Sequence, residues 1–272
     1  EKFAQEAYNK IVKSEDALSF EDWWEKFEKS NSYMLDNTVF GINESVDNYS
    51  GQYTIEIVYS KESDVDAVFI TGDIADNGSI WAYEYVDKTM GKLGIPTYVC
   101  PGNHDWLPNM HMTMNYCQMR RNIKIGDWNF ILLDSTMVDP DDPTKNRARG
   151  SLKDEDLEYI EQSSNESESS ICLVMHHSPI EPGGWMNKKL LENRVAFKNL
   201  ISTLQQVKLV LFGHVHYPMI EKCASAIYAS APSVGFAFDK DLPKYQISSG
   251  DEGYNILHIE GNDVRIQRIR LV

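Results

Sequence analysis

The sequence predicts an α/β domain built on a central sheet of mixed strand directions, and three observations carry that expectation. Four short apolar runs, at 66–71, 95–100, 171–175 and 207–212, are each bounded by turn residues, the pattern of strands buried on both faces. Helical periodicity over 79–93 and 188–206 falls between them. Two hairpin signals, Gly126-Asp127 within 122–135 and Gly261-Asn262-Asp263 within 254–272, add antiparallel pairs. Strands alternating with helices give parallel pairing, the hairpins give antiparallel pairing, and no repeat period is visible.

The first part of the chain is different. Phe3, Ala7 and Ile11, and then Trp23, Trp24 and Phe27, recur at helical spacings, so 2–13 and 20–30 read as amphipathic helices. Ser19 with Glu21 and Asp22 has the composition of an N-cap and an acidic first turn. Residues 1–34 are therefore expected to form a helical extension or insertion, packed on the body as an accessory element or placed as a lid, with 35–272 as the main domain. The stretches 139–151, rich in Pro, Asp and Arg, and 163–170, rich in Ser and Glu, read as surface loops.

Bulk numbers set outer limits. A chain of 272 residues with 42% hydrophobic and 25% charged residues reads as globular and long enough for a sizeable core. No apolar run approaches the roughly 18 to 20 residues of a membrane span. The net charge of −15 disfavours nucleic-acid polymers as partners, because phosphates repel an acidic surface. A small phosphate ester is not excluded, since bound metal ions invert the sign of charge locally. Cys100, Cys117, Cys172 and Cys223 show no CxxC pairing and read as reduced structural thiols. The chain starts at Glu1 without an initiator Met and without a signal-like stretch, so either a segment has been removed or this is a fragment. A cytoplasmic location is the default expectation.

Four polar blocks follow the four apolar runs in order. They are Gly-Asp-Ile-Ala-Asp (72–76), Gly-Asn-His-Asp (102–105), His-His-Ser-Pro (176–179) and Gly-His-Val-His (213–216). Loops carried by a rigid sheet gather side chains from distant parts of a chain into one site. Taken singly, each block also suits an ordinary turn or helix cap. The four together, in this order, resemble the calcineurin-like metallophosphoesterase superfamily. The segments around 72–79, 176–193 and 229–238 ahead of Gly253-Tyr254, together with 35–43, narrow the resemblance to bacterial class III 3',5'-cyclic-nucleotide phosphodiesterases.

That resemblance implies a four-layer α/β sandwich with a mixed central sheet pair, and a metal-dependent phosphodiesterase acting on cyclic nucleotides or other small phosphodiesters. Two divalent ions, Mn, Fe, Zn or Co, about 3.5–4 Å apart would clamp the phosphoryl oxygens and lower the pKa of a bridging water. Asp73 is the expected bridging carboxylate. Asn103, His176 and His214 are the expected donors to one ion, and His216 faces the other. The His214-x-His216 spacing on an extended segment would put both rings on one face. His104 is expected as the general acid for the leaving alcohol, its ordinary pKa of about 6.5 suiting that task. Asp105 is expected to orient its ring, while Asp76 and His177 lie behind the ligands or on the substrate side. The partners implied are a small phosphodiester, no nucleic-acid polymer and no membrane, with a homodimer as an option.

One block of the family pattern, an Asp-x-His on the first strand, is nowhere in the chain. Three readings stay open. The strand precedes residue 1; or Asp36 or Glu21 substitutes for it; or one metal is lost, leaving a non-catalytic or single-metal binding protein with at least one ion.

Overall fold

The four polar blocks follow strands from two layers of a stacked core, and the pairing of those strands explains how the blocks meet. The structure is a computed structural model that describes residues 40–43, 54–57, 65–239, 241, 244, 246–248 and 252–271. The extension expected over 1–34, and the candidate substitutes Glu21 and Asp36, lie outside the described residues.

Strands β1 (Phe40–Asn43) and β2 (Thr54–Ile57) form an antiparallel pair. β3 (Val68–Ile70), helix α1 (Ile80–Leu93) and β4 (Thr97–Val99) make a parallel β-α-β unit, followed by α2 (Leu107–Thr113). Ser79 caps α1 by accepting from the Ala82 N–H, and Gly94 ends it in the left-handed conformation, φ 71°. Then come β5 (Asn122–Ile125), β6 (Trp128–Leu132), α3 (Asp154–Glu166), β7 (Ser170–Met175), α4 (Arg194–Thr203), β8 (Val207–Phe212), β9 (Met219–Cys223) and β10 (Ala226–Ser230). The chain closes with β11 (Ala237–Phe238), β12 (Ile247–Ser248) and the hairpin β13 (Gly253–Glu260)–β14 (Asp263–Arg270).

Six strands form one mixed sheet in the order β5-β6-β7-β8-β10-β9. Its four inner strands are parallel and its two edges antiparallel. Alternation along β7 sorts the core. Ile171, Leu173 and Met175 face α3 and α4, packing with Ile160, Phe197 and Ile201. Cys172 and Val174 face the other way, onto a second strand layer that offers Phe69 of β3, Tyr98 of β4 and Leu257 and Ile259 of β13. The opposite sides of β3 and β4, Val68, Ile70 and Val99, pack on Tyr83, Val86 and Met90 of α1 and Met110 of α2. The result is helices, sheet, strand layer and helices, the four-layer arrangement expected. Burying each large side chain of these seams contributes about 1.5–3 kcal/mol.

Three local expectations are corrected. The stretch 163–170, expected as a surface loop, is helical as far as Glu166 and enters β7 at Ser170. β7 is buried throughout, but β3 is only half-buried on both faces. The helix expected over 188–206 begins only at Arg194. Asn193 bonds both backbone groups of Leu152, accepting from its N–H at 3.1 Å and donating to its carbonyl at 2.8 Å, and so pins the preceding segment outside the helix. A short 3-10 turn, Gly184–Lys188, stands apart from it. All four cysteines are free thiols, as expected.

Candidate metal centre

All four polar blocks begin where β3, β4, β7 and β8 end, so parallel pairing within each layer delivers them to one end of the two sheets. Close approach of the first two blocks requires glycine. A Cβ on Gly72, whose φ is +90°, would lie 2.6 Å from the Gly102 nitrogen, and one on Gly102 would collide with the Asp73 carboxylate.

Asp73, Asn103, His176 and His214 converge as expected. The His176 Nε2 atom lies 3.2 Å from Asp73 Oδ2, 3.2 Å from Asn103 Oδ1 and 3.0 Å from His214 Nδ1. His176 donates its Nδ1 proton to the Thr71 carbonyl at 2.7 Å, which leaves Nε2 as a lone pair in the neutral ring. A carboxylate oxygen, an amide oxygen and two imidazole nitrogens aimed at one point form a donor set that suits a divalent transition metal. Fixing a ligand's tautomer through a backbone carbonyl is the usual support for such a site.

His216 is held in the same manner, its Nδ1 donating to the Phe236 carbonyl at 2.9 Å. The expectation of an extended His214-x-His216 segment is overturned. Both residues are left-handed, with φ of 68° and 50°, and Asp73 is left-handed too, at 56°. Positive φ is uncommon in residues other than glycine and marks stored strain. Three of the five such residues among those described are expected ligands. The turn, rather than strand alternation, sets the two rings.

Electrostatics agree with a cation site. Burial disfavours the charged form of His214 and His216, holding His214 well below its ordinary value and His216 at about 4. Both rings are therefore neutral at physiological pH, the state a ligand needs. Burial opposes ionisation of Asp73, but the charge and hydrogen bond of His176 and the charge of His104 outweigh it and keep the carboxyl well below its usual range, while Asp73 in turn raises the pKa of His176 against the cost of burial.

The expected partnership of Asp105 with His104 is corrected. Asp105 is buried and turned inward, accepting from the backbone N–H groups of Ile74 (3.0 Å), Ala75 (3.0 Å) and Gly102 (2.8 Å) and from the Tyr83 hydroxyl (3.1 Å). It ties the first two blocks to α1. Burial and the charge of Asp73 push its pKa up to about 6, against the three backbone donors. The carboxylate that meets the His104 ring is Asp76, whose Oδ1 lies 2.6 Å from Nδ1. That hydrogen bond, working against desolvation, raises the His104 pKa to about 9. The His104 ring is half exposed, and its backbone N–H donates to Asp73 Oδ1 at 2.9 Å.

Of the two placements expected for His177, burial agrees with the one behind the ligands. His177 is fully buried, with Nδ1 2.8 Å from Ser135 Oγ, and its N–H donates to the same hydroxyl at 3.2 Å. Its ring lies beside those of His176 and His214, and ligand nitrogens of the three histidines fall within 4.8 Å of one another. Nε2 of His177 and of His214 are buried without a hydrogen-bond partner. Sequence reasoning passed over the Thr71 and Phe236 carbonyls, Tyr83 and Ser135. Backbone carbonyls carry no sequence signal, and Tyr83 reads as an ordinary apolar position of α1.

A buried cluster of convergent imidazoles, an amide and a carboxylate, at the carboxyl ends of strands in a four-layer α/β sandwich, defines a metal-dependent phosphoesterase. The sequence pattern of the calcineurin-like phosphoesterase family matches residues 52–218, and the chain belongs to that family. It is 28% identical over 213 residues to a 3',5'-cyclic-nucleotide phosphodiesterase of Nostoc sp., covering 77% of each chain. It is 25% identical over 228 residues to the 3',5'-cyclic adenosine monophosphate phosphodiesterase CpdA of Vibrio vulnificus, covering 81% of each. A dimetal phosphatase from Danio rerio shares the fold, with a TM-score of 0.59 at 15% identity over 76% of this chain and 81% of that one. Among the described residues no helix is long and apolar enough to cross a membrane.

Proposed function

We propose that this protein is a metal-dependent phosphodiesterase that hydrolyses 3',5'-cyclic nucleotides or closely related small phosphodiesters. The observation that carries the reading is the convergence of Asp73, Asn103 and His214 on His176 Nε2, with the His104–Asp76 pair beside it. The names of the Nostoc and Vibrio relatives support the substrate class.

Asp73, Asn103, His176 and His214 would hold one divalent ion, and Asp73 with His216 would contribute to a second, the ions being Mn, Fe, Zn or Co. When bound, the ions supply positive charge for the phosphoryl oxygens and a water of lowered pKa. Neutral His214 and His216 ligate without first losing a proton. His104, kept protonated by Asp76, faces the solvent side of the site and donates its proton to the departing ester oxygen. Asp105 fixes the loops that carry Asp73 and His104. The non-catalytic alternative gains nothing from the relatives, both of which are named as enzymes. Four free cysteines fit a reducing, cytoplasmic compartment.

A substrate panel tests the reading. Purified full-length natural protein is given cyclic nucleotides, bis(p-nitrophenyl) phosphate, single-stranded DNA and a phosphopeptide. Turnover of a cyclic nucleotide above that of DNA and peptide is the expected result. Faster cleavage of DNA or of the peptide than of every small diester would overturn it.

A further inference from the structure

His216 is the expected ligand with the least protein around it that shares its task. Asp73 is its expected companion toward a second ion. Its surroundings are nevertheless elaborate. The imidazole lies against the Phe238 ring at a centroid distance of 4.3 Å and an interplanar angle of 11°, a parallel stack. Phe236 flanks it at 4.6 Å and 56°, and the Phe236 carbonyl accepts the Nδ1 proton at 2.9 Å. The stack fixes the plane of the ring, and the carbonyl fixes which edge faces the protein. Together they leave one orientation and one lone pair, on Nε2.

The bracing continues behind the stack. Phe238 pairs with Ile247 across the short β11–β12 ladder, and Ala237 between the two phenylalanines is buried. Trp185 meets the Phe238 ring edge-on at 5.2 Å, while its indole N–H donates to the Asp239 carbonyl at 3.3 Å. His216 itself carries a left-handed backbone, φ 50°, a conformation that persists only where surroundings over-determine it. Apolar filling alone would require neither the near-parallel stack nor the carbonyl at its edge.

We infer that the Phe236–Phe238 segment is a positioning element that locks the His216 imidazole, with Phe238 as its chief side chain, and thereby sets the affinity of the second metal ion. The inference rests on the proposed two-ion site. Phe238 carries no donor atom for an ion and acts through His216. Its loss should weaken one ion selectively.

The test is calorimetric titration of chelator-treated, full-length natural protein with Mn(II), reading stoichiometry and the two affinities for wild type, Phe238→Leu, Phe238→Tyr, Trp185→Phe and His216→Ala. Phe238→Leu should weaken the weaker ion about 10-fold or more, the usual size of an effect on a ligand's support. The tighter ion and the metal-free melting temperature should stay at wild-type values. Phe238→Tyr, which keeps the ring, should stay within about twofold of wild type, and His216→Ala should show the tighter ion alone. Trp185→Phe should shift the weaker ion in the same direction by less, and it decides the matter if the leucine variant does not fold. Superimposable wild-type and Phe238→Leu curves, or equal weakening of both ions with a fallen melting temperature, would overturn the inference. Wild-type protein that takes up no Mn(II) would instead sink the metal-site reading beneath it.

Discussion

At the scale of single residues, two neighbouring carboxylates have opposite tasks. Asp76 reaches the His104 ring, so the proton on that ring is its concern. The pKa of His104, raised to about 9 by that bond, keeps the ring charged below that pH. Cleavage of diesters with poor leaving groups should therefore fall as pH rises through about 9, and in Asp76→Asn the fall should begin nearer the ordinary value of about 6.5. An unmoved alkaline limb in that variant would remove Asp76 from the role. His104→Ala should keep its metal yet lose about 100-fold or more toward poor leaving groups, with a smaller loss toward p-nitrophenyl esters that depart without a proton. Equal losses for both would mean the ring acts only through its charge.

Asp105 answers to a different measurement. Asp105→Ala leaves four donors facing a void, and each buried orphan costs about 1–3 kcal/mol. Urea unfolding should show a loss of at least about 3 kcal/mol, and a loss under about 1 kcal/mol would contradict the clamp. The sequence placed His104 correctly among the polar blocks but assigned its partner to the adjacent residue. Nothing local shows that the N–H groups of Ile74 and Ala75, from 30 or so positions away, turn Asp105 inward.

At the scale of elements, strands were legible and loop backbones were not. β8 matches its apolar run from end to end, and β5–β6 turn at Gly126-Asp127 as expected. Burial imposes a periodic pattern on such segments, so the pattern can be read back. The left-handed turns at Asp73, His214 and His216 leave no such trace, because tertiary contacts impose them against local preference. Glycine was the readable exception. Gly102→Ala should push the Asp73 loop away from the Asn103 loop. Atomic absorption on the purified variant should find the metal content reduced several-fold, and undiminished metal would show that the loops can part without harm.

At the scale of the whole molecule, two layers of strands deliver four loops to one end, and an acidic chain thereby gathers histidines around a carboxylate. The net charge of −15 argues against polymeric phosphates, and the site argues for a small one held by cations. The most direct measurement is hydrolysis of a 3',5'-cyclic nucleotide by full-length natural protein, before and after chelation and again after Mn(II) or Zn(II) is restored. Activity that disappears on chelation, returns with metal and is absent in Asp73→Asn is the expected result. Metal-loaded protein that binds its ions at His176 and His214 yet cleaves no small phosphodiester would contradict it.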